Sequence, residues 1–64
     1  SVNDIPLPLT PKTAAELEQV ETGGQVLSVD QESYQNHIIF RVKVLHQDGK
    51  VKTYRLDRNT GSQM

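Results

Sequence analysis

The residues of this chain that could do chemistry are two histidines, one aspartate beside a turn, two serines and three helix-borne glutamates. His37 and His46 are metal-ligand types. Nine residues of extended chain would hold them roughly 30 Å apart, so one ion cannot be shared between them within a monomer. Asp57 precedes Asn59-Thr60-Gly61. It could serve as a general base, or its carboxylate could accept the backbone N–H groups of that turn. Ser28 and Ser33 have no recognisable His-Asp partner, which leaves nucleophilic catalysis without support. Glu16, Glu18 and Glu21 could suggest a carboxylate pair. With no further ligand at a useful spacing they read as the solvated face of a helix, together with Gln19. No catalytic residue, metal or cofactor is expected from these patterns.

Recognition is the stronger signal. Ile39, Arg41, Lys43 and Leu45 alternate along one segment, and Val51, Thr53 and Arg55 along the next. Together they make a basic stripe bordered by aliphatics. If Arg41 lies opposite Arg55, and Leu45 opposite Val51, the paired arginines need an acidic neighbour, which Asp30 or Glu32 could supply. The alternative is functional: exposed aliphatics around arginines suit an interface for an acidic or mixed protein segment. A nucleic-acid-binding sheet is a further alternative, using Arg41, Lys43, Lys50, Lys52 and Arg55 with Tyr54 interleaved. It lacks a stacking platform if Tyr54 and Phe40 turn into the core.

These residues need a sheet to position them. His37 to His46 alternates, Gln47-Asp48-Gly49 turns, and Lys50 to Asp57 alternates back, which predicts a β-hairpin. A two-residue Asp48-Gly49 loop would set Val42 opposite Arg55. A three-residue loop with Gly49 left-handed sets Val42 opposite Tyr54 and Phe40 opposite Leu56. The second register gathers Ile38, Phe40, Val42, Val44, Tyr54 and Leu56 on one face and is the one expected. Before the hairpin, Gln25 to Glu32 reads as a strand with Leu27 and Val29 on one face, Val26 joining them only through a bulge. Ser33-Tyr34-Gln35-Asn36 is a polar link.

A helix should open at Thr10-Pro11, with Thr as N-cap, Pro in the first turn and Leu9 stapled onto Ala14. Ala14, Leu17 and Val20 give its apolar stripe, and Gly23-Gly24 ends it. Ser1 to Leu9 reads as an extended, Pro-rich arm (domain 1–9), whose Leu7 and Leu9 could fold back on the core, followed by a folded domain (10–64). The expected class is α+β: one N-terminal helix on a three-stranded antiparallel meander, with one sheet face left open.

Composition narrows the rest. Sixty-four residues with 34% hydrophobic content and no tryptophan allow one thin core and no deep cavity. A net charge of −1 disfavours a chain that grips nucleic acid by its overall field. The absence of cysteine excludes disulfides and thiolate metal sites. No stretch approaches the roughly 20 apolar residues of a membrane span. The chain starts at Ser1, as a mature product with its leader removed would.

Four features occur in order: a helix ending in Gly23-Gly24, then Gln25-Val26-Leu27-Ser28-Val29, a hairpin about Asp48-Gly49-Lys50, and Tyr54-Arg55-Leu56-Asp57-Arg58-Asn59-Thr60-Gly61. In this the chain resembles the PepSY domain family from roughly Thr10 to Met64. It departs from the family pattern in its short, sparsely apolar helix and in the strand expected after Thr60-Gly61, which is cut short at Met64. The resemblance implies a non-catalytic module, periplasmic or extracellular, that binds or restrains another protein, such as a peptidase or an envelope protein. It supplies no catalytic residues and no cofactor.

Overall fold

In the computed structural model, residues 4–64 are described, and the first three residues of the expected arm lie outside them. The chain forms α1 (Pro11–Thr22), β1 (Gln25–Tyr34), β2 (His37–Leu45) and β3 (Val51–Asp57). The strands make one antiparallel sheet in the order β1-β2-β3, and α1 packs on β1 and β2. This is the expected α+β meander.

Local chemistry explains each boundary. Thr10 is extended and accepts the Thr13 N–H at 3.1 Å, while the Thr13 hydroxyl accepts the Thr10 N–H at 2.7 Å. That reciprocal pair satisfies two of the donors a helix start leaves open. Gly23 closes α1 in the left-handed conformation, φ 69°, and its N–H donates to the Gln19 carbonyl. Gly24 has a separate task. A methyl group there would lie 2.6 Å from Val44 Cγ1 and 2.7 Å from the Leu45 carbonyl oxygen, so only glycine lets the joint lie this close to β2.

The link between β1 and β2 is tighter than the four-residue connection expected. β1 runs on to Tyr34, and only Gln35 and Asn36 turn, both left-handed. Positive φ at both central residues gives the turn whose twist matches a hairpin. At the other end of β2 the three-residue loop forms as expected. The His46 N–H donates to Lys50 O at 2.8 Å, the Gly49 N–H donates to His46 O at 2.9 Å, and Gly49 takes φ 86°. Phe40 then faces Leu56, Val42 faces Tyr54, and Arg41 faces Arg55.

The core lies between α1 and the covered sheet face: Leu9, Ala14, Leu17, Phe40, Val42, Val44 and Leu56, with Ile5, Val26, Val29 and Tyr54 against them. Of the arm, Leu9 folds back on the core as expected, buried and with its N–H donating to Arg58 O at 2.7 Å, whereas Leu7 is exposed. Two expectations need correction. First, β1 bulges between Val26 and Ser28. The extra residue, Leu27, is exposed, while Val26 opposite Val44 and Val29 opposite Val42 both reach the core. Second, Glu18 is buried and Val20 is 57% exposed, the reverse of what was expected. Helical geometry gives the reason. At 3.6 residues per turn Glu18 lies about 40° around the axis from Ala14, and Val20 about 120°.

Candidate functional site

The open sheet face is the candidate site. Past the bulge, even-numbered residues of β1 share it with odd-numbered residues of β2 and β3. Across β2 the rows read Glu32, Ile39, Asp57; then Asp30, Arg41, Arg55; then Ser28, Lys43, Thr53. Each strand contributes by simple alternation, so no loop is needed to position these side chains.

The acidic neighbour that the paired arginines require is Glu32. Its Oε1 accepts Arg55 Nε–H at 3.0 Å, and its Oε2 lies 3.8 Å from Arg41 Nε. Arg55 also places its guanidinium carbon 5.2 Å from the centre of the Tyr34 ring, a cation–π contact. Arg55 stands on β3, and Glu32 and Tyr34 stand on β1. Their contacts therefore cross over β2 and roof whatever β2 presents beneath.

That residue is Ile39. It was expected to be an exposed member of the recognition stripe, and instead its exposure is 0%. Its parity puts it on the open face, but the Arg55–Glu32–Tyr34 roof and the Asp57 corner close over it. Ile39 is thus a small second core, outside the main cluster. The rest of the stripe is accessible to varying degrees: Arg41, Lys43, Val51 and Thr53 are exposed, and Leu45 and Arg55 are half-buried.

Asp57 is a turn-capping carboxylate. Its Oδ1 accepts the Asn59 N–H at 2.8 Å and the Thr60 N–H at 3.2 Å. Its Oδ2 lies 3.0 Å from His37 Nδ1. The Asn59 N–H bond above all, with that of Thr60 and the facing His37, holds its carboxyl below the ordinary value of 3.8. A group held ionised in this way is a poor proton acceptor at neutral pH.

The histidines are separated by more than distance. His37 is on the open face with Asp57, whereas His46 is on the covered side, where its Nε2 lies 2.8 Å from the Tyr54 hydroxyl. No cluster of three or more potential metal ligands exists among the described residues. The phenolic end of Tyr54 is thus held by His46, and Phe40 is 1% exposed, so neither ring is free to stack on a base. Tyr34 is the exposed aromatic of the open face, and sequence reasoning placed it in a loop.

Glu18 lies outside this face, and its burial was not revealed by the sequence. Its side chain is buried beneath the helix, and Oε1 has no hydrogen-bond partner among the described residues. Burial, with Glu21 one turn away, pushes its carboxyl above the ordinary 4.5.

The chain matches no protein-family model, no curated protein and no solved structure. No helix among the described residues is long and apolar enough to cross a membrane.

Proposed function

We propose that this chain is a PepSY-like, non-catalytic module that acts outside the cytoplasm and binds a protein partner through its open sheet face. The observation that carries the reading is how the arginines are spent. Glu32 engages the Nε of Arg55 and faces that of Arg41, and each guanidinium carries further N–H donors at its tip. Lys43 stands exposed beside them. A basic row in which one carboxylate anchors Arg55 and faces Arg41 is suited to a carboxylate-bearing protein segment. Lys43, Leu45, Val51 and Thr53 would form the near side of the contact, with Arg41 and Arg55 at its centre. Ile39 supports the row from below without touching the partner.

The family resemblance points to a peptidase as that partner, with the domain restraining it. The test is a fluorogenic peptide assay of secreted metallopeptidases with and without the domain. The Arg41→Glu/Lys43→Glu double variant serves as control, because it leaves the Arg55–Glu32 bond intact. The expected result is inhibition by the native chain and loss of inhibition by the variant. Equal inhibition by a folded double variant would remove the face from the reading.

A further inference from the structure

The outer edge of β3 is covered over part of its length. On the outer edge of β3 the chain turns back after Gly61 and begins to pair. The Asp57 N–H donates to Ser62 O at 2.9 Å, the Met64 N–H donates to Arg55 O at 2.8 Å, and Leu56 bridges Gln63 in antiparallel sense. Among the described residues the pairing covers only the C-terminal half of the strand.

Backbone alternation tells which groups the other half presents. The Lys50 carbonyl accepts the His46 N–H while the Lys50 N–H turns to Asp48 Oδ1, and beyond that pair Lys52, Tyr54 and Leu56 direct their N–H and C=O groups toward β2. Arg55 and Asp57 direct theirs outward, as their bonds to residues 62 and 64 show. Val51 and Thr53 have the same parity, and both are exposed. Among the described residues their N–H and C=O groups have no backbone partner, and they form a row in line with the short Ser62–Met64 segment.

The surrounding charge selects an occupant. From Gly49 to Leu56 the sequence carries Lys50, Lys52 and Arg55 and no acid. Lys43 lies opposite Thr53 on the neighbouring strand. Basic side chains thus flank the row on both sheet faces. They repel a second copy of the same edge, a common protection of edge strands, and attract a strand of opposite charge. We propose that the β3 edge at Val51–Tyr54 accepts an extended acidic segment of a partner protein as an added strand. Backbone bonds at Val51 and Thr53 supply affinity, and the flanking lysines supply selectivity. This goes beyond the face reading and does not depend on it.

The test is amide hydrogen exchange, followed by NMR on the whole chain, with capped Glu-Thr-Glu-Val-Glu-Thr as probe and capped Lys-Thr-Lys-Val-Lys-Thr as control. In the acidic peptide, exchange at the Val51 and Thr53 amides should slow at least about tenfold. Lys52 and Tyr54, already bonded to β2, should change little. Thr53→Pro removes one outward donor without touching the β2–β3 ladder and should abolish the effect. Lys52→Glu should weaken binding roughly tenfold, and added salt should weaken it further. If Thr53→Pro does not fold, the native exchange pattern decides alone. Equal protection by the lysine peptide overturns the proposal, as do changes confined to Arg41 and Lys43. Protection of Val51 and Thr53 that grows with protein concentration in the absence of peptide overturns it as well, in favour of self-pairing. No peptidase enters this experiment, so its failure is separable from failure of the inhibition assay.

Discussion

The covered and open faces of the sheet bury side chains by different means. Under α1, Phe40, Val42, Val44 and Leu56 are sealed by other apolar groups, and the one carboxylate drawn in with them, Glu18, lacks a partner at Oε1. On the open face Ile39 is sealed just as fully, but by polar groups that satisfy one another: Arg55 with Glu32 and Tyr34, and Asp57 with His37 and its own turn. Burial on the first face costs a desolvated charge. On the second it is the by-product of a charge network. Water can therefore be excluded by a polar lattice as well as by a helix, provided each member of the lattice has a partner.

The sharpest test of this comparison sets one large residue from each face side by side. Phe40→Ala removes a ring from the main core and should cost about 3–5 kcal/mol, most of the stability a chain of this size has. Urea or thermal unfolding should find it largely unfolded. Ile39→Ala should cost about 2–3 kcal/mol in the same measurement. If Ile39→Ala behaves as a surface change, below about 0.5 kcal/mol, the second core does not exist.

The two carboxylates should give opposite pH dependences. The folded state holds Asp57 below its ordinary 3.8, so its contribution is complete above that value and is lost as pH falls through the folded value. It holds Glu18 above its ordinary 4.5, so no penalty applies below 4.5, and the penalty grows as pH rises through the folded value. The two groups therefore pull in opposite directions, Asp57 favouring the folded state toward neutral pH and Glu18 toward acid pH. Glu18→Gln should raise stability at pH 7 by about 1 kcal/mol, with the gain vanishing at acid pH. Asp57→Asn should lower stability at pH 7, with the loss shrinking below pH 4. Melting curves from pH 3 to 8 read both. A Glu18→Gln gain that persists unchanged at pH 3 would trace the effect to shape instead of charge.

Smallest of all is Arg41→Ala. Its contact with Glu32 is long and half-exposed, so it should change stability by less than about 1 kcal/mol while still weakening partner binding.

The sequence made the hairpin legible because only one loop length puts every large apolar side chain on one side, and the Gly49 bulge delivers that length. The acidic relief of Arg41 and Arg55 was equally legible, since like charges in register require it, though two acids were candidates: register sets Asp30 directly opposite Arg41, and only the diagonal side-chain contacts select Glu32. Three features were hidden, each for a distinct reason. Leu27 and Val26 exchange places through the bulge that Val26 needed to reach the core, and alternation alone does not say whether it forms. Glu18 is drawn under the helix because its angle about the axis outweighs its charge. Ile39 obeys its parity and still becomes buried, because the residues that cover it arrive from the two flanking strands. Local pattern gives the face a side chain occupies; only the assembled sheet decides what lies above it.

The bond from Leu9 to Arg58 has a practical consequence. Arg58 is tied in turn to Ile38, at the start of β2, and Gly61 lies against Leu7. The described part of the arm therefore lies beside the closing turn, at the end of the sheet opposite the Asp48-Gly49 tip. Ser62–Met64 then runs back toward the tip, antiparallel to β3, as far as Arg55. A bead, a fluorophore or a fused protein joined after Met64 is thus led along the β3 edge toward Thr53 and Val51, and a label used to study that edge belongs elsewhere on the molecule.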